Sequence, residues 1–233
     1  MVLYFFEYVF YVLKTLSVVD MISHIIQVKF RLKTIGDILK DYCSHIDNVS
    51  FSETIKKSGN NIKDSEFLSY NYRHISLSLS RCYFLLTEQC NFINAMYGLR
   101  IFLIHIIVQI DMVVMINLMI RLMFKIEISE TNWFHLLIVV IKIIAAILII
   151  CTWVHCCEQN YRQTERIIYW SNNLTINKIM SPEVGDAIDE LKSLIHSKPI
   201  SFHMHHFCKL EYGTLLTIIS NTISYVIAMS QNI

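Results

Sequence analysis

Charge is scarce in this 233-residue sequence. Asp, Glu, Lys and Arg make up 17% of it, against about 25% in ordinary soluble domains. That shortage excludes a soluble protein of normal surface. Turn-formers are scarce as well, with 5 glycines and 2 prolines, so little interrupts a helix once it starts. No sign of charge dominates. The formal net charge is +1, which gives no argument for a nucleic-acid or strongly acidic partner, and none is expected. No glycine-rich phosphate loop, nucleophile elbow or converging pair of acids is present. No catalytic residue, cofactor or metal ligand is therefore expected, and the chain does not read as an enzyme. A secretory leader is not expected either. No basic residue precedes the first apolar run, and Glu7 and Lys14 interrupt it.

What fills the sequence instead is apolar, at 54% of residues. Crossing a bilayer takes about 20 apolar residues, and four stretches meet that length: 1–28, 101–124, 134–157 and 211–233. The fold class expected is all-α, a multi-span membrane protein of about four helices with helical cytosolic anchor segments. Residues 29–100 and 158–210 form the two long connections, and 125–133 form a short extracellular loop. Nine Lys/Arg fall in 29–95 and six in 158–210, but only one in 125–132. Basic loops stay inside, so both long segments are placed in the cytosol and the C-terminus outside, as expected of a multi-pass plasma-membrane protein. The sequons at Asn48 and Asn173 would then be bare. The seven cysteines, odd in number and irregular in spacing, read as thiols.

The cytosolic segments carry their own helix signals. In SPEVGDAIDELKSLIHSKP, Ser181 can cap, Pro182 suits the first helical position, and Pro199 ends the helix. Val184, Ile188, Leu191 and Ile195 make one apolar stripe that needs a partner. Helical spacing over 78–98 continues into the span from 101. Residues 48–65, with SGNN at 58–61, read as a flexible loop.

Charges inside a membrane need a reason to be there. Asp111 and Lys142 lie on consecutive, antiparallel spans. Counted from the outer ends, their depths differ by only about 4–5 Å at 1.5 Å per residue, so an intramembrane ion pair is expected. The alternative is that either one lines a wet cavity. Glu7 and Lys14 share a face of the first span. In the last span, Thr214, Thr217, Asn221, Ser224, Ala228 and Gln231 recur every three or four residues and form a polar stripe. Such a stripe does not face lipid cheaply. Two readings stay open: hydrogen bonding to neighbouring helices, or a pore wall. Ser220, Thr222 and Ser230 lie off the stripe. His203, His205 and His206 form one cluster with no matching second set, and they read as interfacial residues.

The C-terminal sequence ISYVIAMSQNI resembles the closing signature of insect gustatory receptors: Thr-Tyr, five apolar residues, then Gln-Phe. Ser224-Tyr225 and Gln231-Asn232 stand at those positions with the Tyr-to-Gln spacing intact. Ser replaces Thr, Asn232 replaces Phe, and Ser230 is a polar fifth residue. KFRLKTIGDIL after the first span, NFINAMYGLRIFL with Asn94 and Gly98, and CTWVHCCEQ are similar to further family elements, in the family's order. The resemblance covers nearly the whole chain.

The resemblance implies a tastant-gated, non-selective cation channel built as a homo- or hetero-tetramer of related receptors in a lipid membrane. The final span would line the pore and the cytosolic helices would anchor the subunits. Carried over by motif position, Tyr225 and Gln231 are the pore-helix signature residues, and spacing extends pore lining to Thr217, Asn221 and Ser224. Family members have seven spans. This chain carries about four and so corresponds to their C-terminal portion, a truncated or partial receptor. The alternative expectation is a non-conducting interaction subunit that modifies full-length relatives.

Overall fold

The computed structural model describes residues 2–55, 62–124, 130–176, 182–204 and 208–231. Five α-helices account for nearly all of them. In chain order these are α1 (Val2–Ile55), α2 (Ile62–Phe124), α3 (Glu130–Ile176), α4 (Pro182–Ser197) and α5 (Tyr212–Ser230). A two-stranded antiparallel hairpin, β1 (His203–Met204) and β2 (Cys208–Lys209), separates α4 from α5, with Met204 opposite Cys208.

The first three helices have 54, 63 and 47 residues. At 1.5 Å per residue each is about 70–95 Å long, well beyond the ~30 Å of bilayer hydrocarbon. The near-absence of proline and glycine explains this, because nothing forces a break where a span ends and an aqueous segment begins. The helical reading of 78–98 and its continuation past 101 match α2. The loop reading of 48–65 needs correction. Helix α1 continues through Ile55 and α2 starts at Ile62, so 48–55 and 62–65 are helical despite their Asn, Ser and Asp content. The core of that stretch, 56–61, lies outside the described residues.

Two of the helices, over His74–Ile120 and Leu137–Thr175, are long and apolar enough to cross a membrane, and Tyr212–Ala228 is a shorter apolar helix. The apolar stretches of α2, α3 and α5 are not mainly buried in the protein. Ile110, Ile141 and Leu216 are 57%, 58% and 68% exposed. Large aliphatic side chains left outward in such density fit an apolar solvent better than water.

The chain divides into two compact units. The first comprises Met1–His24, Ile93–Glu158 and Phe202–Ile233; the second comprises Ile25–Phe92 and Gln159–Ser201. In the second unit, Ile25, Val28, Leu32, Ile35 and Leu39 of α1 are buried at helical spacing. They belong to a core that also takes in Tyr83 and Leu86 of α2 and Ile167 and Leu174 of α3. Helix α4 completes this core, with Val184, Ile188, Leu191 and Ile195 all at 3% exposure or less. These are the residues of the predicted stripe. Its bounds, Pro182 to Ser197, also agree with the proline punctuation; Ser181, the expected cap, lies outside the described residues.

Polar contacts fix the register within this unit. Arg166 meets Asp37 at 3.0 Å. Lys192 donates to Thr175 at 2.6 Å, tying α4 to α3. The fully buried Asn160 donates to the Ile25 carbonyl at 3.3 Å. The Tyr83 hydroxyl donates to the Lys198 carbonyl at 3.3 Å.

In the first unit, α1 and α2 are knit by a ladder of polar bonds. Lys14 Nζ stands 3.6 Å from Asp111 Oδ2. Arg100 donates to Ser17 Oγ at 3.1 Å, and Tyr97 donates to Asp20 Oδ2 at 2.5 Å. The α1 partners rise from 14 to 20 while the α2 partners fall from 111 to 97, as antiparallel helices require. Asp111 therefore has a counter-charge, and it is supplied by α1. Where the sequence set Asp111 against Lys142 on the next helix, the structure sets it against Lys14. The Lys14 side chain is 9% exposed and that of Asp111 57%, so the lysine is the buried member. Depth along consecutive helices does not reveal this partner, because Lys14 lies about a hundred residues earlier in the chain.

Candidate functional site

Helix α5 carries the candidate site, and its base is held by polar bonds within the first unit. The His203 amide donates to Asn94 Oδ1 at 3.1 Å, so α2 fixes the start of the hairpin. The Leu210 amide donates to the Phe202 carbonyl at 2.9 Å and closes it. His155 Nδ1 lies 3.1 Å from the Tyr212 hydroxyl, tying α3 to the first residue of α5. Thr214 Oγ1 donates to the Lys209 carbonyl at 2.5 Å, and Lys209 pairs with Glu211 at 3.2 Å. Phe202, Met204 and Leu210 are buried beneath these bonds. Of these residues, Asn94 and His155 stood in the quoted motifs, His203 in the histidine cluster and Thr214 in the polar stripe. His155 and Tyr212 carry no spacing signal, because their contact spans 57 residues.

Beyond its base, α5 has three distinct faces. At about 100° per residue, Ile218 and Thr222 share one arc, and among the described residues of α5 they are the two that are buried, each at 5%. Leu216, Ile219, Ile223 and Ile227 occupy a second arc and are exposed. Thr217, Asn221, Ser224 and Ala228 lie within about 60° of one another on a third arc, with Gln231 just past the helix end on the same side. All five are exposed. The predicted polar stripe is thus real as a face, and it points away from the chain's own packing. Tyr225 is 61% exposed and sits about 80° from Thr217, at the edge of the stripe. Ile218 and Thr222 lie on the packed arc, so Thr222 belongs to the core of the first unit and not to the stripe.

The hydroxyl chemistry of the stripe is settled by its own backbone. Thr217 Oγ1 donates to the Gly213 carbonyl at 3.1 Å, and Ser224 Oγ donates to the Ser220 carbonyl at 2.9 Å. Each proton is turned inward, which leaves oxygen lone pairs outward. Such a face presents acceptors without a full charge. It can coordinate a partly hydrated cation or accept a hydrogen bond from another helix. Helix α5 contains no Asp, Glu, Lys or Arg.

Lys142 of α3 lies on an exposed face and takes no part in the α5 stripe. His205 and His206 lie outside the described residues, as does the side chain of Glu7. Among the described residues no group of His, Cys, Asp and Glu is arranged to hold a metal ion. No protein-family model matches the chain, and no curated protein matches it.

Proposed function

We propose that this chain is a subunit of a ligand-gated, non-selective cation channel of the gustatory-receptor type, corresponding to the C-terminal portion of such a receptor. Four copies, or copies mixed with related receptors, would bring their α5 helices around an axis with Thr217, Asn221, Ser224 and Gln231 on the water side and Tyr225 beside them. A small-molecule tastant would gate the assembly. The four apolar stretches would cross the plasma membrane, with the long segments cytosolic and the C-terminus outside.

One observation carries this reading. An uncharged, otherwise apolar helix turns its polar stripe away from its own chain, where lipid is the costliest neighbour. A water-filled axis shared between copies removes that cost. Outward hydroxyl lone pairs favour cations over anions on such a wall.

Cysteine substitution tests it. With Asn221→Cys or Ser224→Cys in cells expressing the chain with its relatives, a charged thiol reagent applied from outside should block cation current within seconds. Leu216→Cys, on the apolar arc, should stay unmodified and leave the current unchanged. Equal block at both arcs, or none at either, would sink the pore assignment.

A second reading is a non-conducting subunit that assembles with full-length relatives. The back-bonded hydroxyls favour it, because a stripe whose donors are already satisfied can pack against another helix. It predicts co-purification with a relative and protection of Asn221→Cys from the reagent in that complex.

A further inference from the structure

Gln89 of α2 holds the guanidinium of Arg31 of α1, with Nη1 donating to Oε1 at 2.8 Å. A neutral amide orients the cation here, and it leaves the positive charge uncompensated. Among the described residues no carboxylate lies within 4.0 Å of Arg31. A guanidinium has five N–H donors, and this bond uses one.

Several large apolar side chains near that cation are uncovered. Leu85 and Phe92 flank Gln89 at one helical turn on either side, on the same face of α2. They are 65% and 63% exposed, and Phe30, next to Arg31 in α1, is 62% exposed. Arg81, also exposed, stands one turn before Leu85. By sequence, Arg31 is three residues past the first apolar stretch, and Phe92 is nine residues before the second. Cations set among outward aromatic and aliphatic side chains, close to the end of a bilayer span, match the boundary between acyl chains and headgroups. On the cytosolic leaflet that boundary is rich in anionic lipid.

We infer that Arg31, oriented by Gln89, binds the headgroup phosphate of an anionic lipid whose acyl chains run past Phe92 toward the span from 101, with the exposed Leu85 on the cytosolic side of the headgroup. Arg81 adds a second positive charge to the same surface. The guanidinium suits a phosphate because its planar fork offers two parallel N–H bonds. Lipid capture requires only that the chain sit in a bilayer, and it holds whether or not the chain conducts.

The full chain, reconstituted in nanodiscs of phosphatidylcholine and phosphatidylserine in equal amounts and released into native mass spectrometry, reports which lipid stays bound. The expected result is retention of phosphatidylserine over phosphatidylcholine by about fivefold, the weight of one basic side chain at an anionic surface. Arg31→Ala should bring the ratio to parity. Gln89→Glu preserves the hydrogen bond and the shape but neutralises the cation, so it should abolish the preference even if Arg31→Ala misfolds. Lys40→Ala, an exposed basic residue two and a half turns away, should change nothing. Equal retention of both lipids by the parent chain overturns the site, as does an unchanged ratio in Gln89→Glu. If Leu85→Glu lowers the oligomer mass while phosphatidylserine retention stays intact, this face is a contact between copies and the lipid site falls.

Discussion

Tyr83 shows how one buried group sets a pH limit. The phenol is fully buried in the second unit, and burial pushes its pKa from 10.0 up to about 12. Burial likewise pushes the Cys90 thiol from 9.0 to about 12. In both cases the folded chain holds its proton more tightly than the unfolded chain does. The stabilisation is therefore fully present below pH 9 and is lost as pH rises through 9 to 12. Thermal unfolding of the detergent-solubilised chain should show a constant midpoint from pH 7 to 8.5 and a steep fall above 10. Tyr83→Phe should cost roughly 1 kcal/mol at pH 8, the value of its bond to Lys198, and should make the fall above pH 10 shallower. An identical alkaline profile in Tyr83→Phe would remove the phenol from the account.

Asp111 is the second residue whose partner decides its role. Removing one member of a pair strands the other, so Asp111→Asn should harm the chain more than the double change Lys14→Met with Asp111→Asn. A double-mutant cycle should give a coupling of about 1–2 kcal/mol for 14 with 111. The same cycle for 142 with 111 should give none. A coupling at 142 and none at 14 would restore the pairing that the sequence suggested.

At the scale of elements, α4 was legible almost to the residue. Its punctuation is local: a proline at each end and a stripe with helical period all lie within 19 residues. Burial of that stripe makes a firm expectation. Leu191→Ala should cost ~2–5 kcal/mol, because the side chain is fully enclosed and leaves a cavity; a change below 1 kcal/mol in denaturant titration would place α4 outside the core. The α5 stripe was legible for the same reason, since a period of 3.6 needs no partner to be seen. What stayed hidden was which side of α5 packs. The polar stripe and the exposed apolar arc both look plausible as buried faces until Ile218 and Thr222 are seen inside. The extent of α1 was hidden too. Asn48, Ser50 and Ser52 favour turns only weakly, and a helix already running overrides them in the absence of proline. The bonds Asn94–His203 and His155–Tyr212 that seat α5 lie beyond any local pattern, because each joins residues 57 or more apart.

For the whole molecule, the question is where a subunit places its unused faces. Helix α5 spends only the arc of Ile218 and Thr222 on its own chain, so two arcs remain for lipid, water or other copies. Substitutions should therefore separate by arc. Ile218→Ala should lower thermal stability of the isolated subunit by ~2–5 kcal/mol. Asn221→Leu and Ser224→Leu should leave that stability within about 0.5 kcal/mol, as exposed positions do, yet change how copies associate. If the stripe lines a wet axis, leucine there dries the passage, so assembly mass stays constant while cation flux into proteoliposomes drops. If the stripe packs against a partner helix, leucine removes the acceptors and the small side chain that the contact uses, so the assembly mass itself falls. Mass and flux measured on one preparation thus separate a pore wall from a helix contact. A fall in subunit stability instead would mean that the stripe packs within the chain after all.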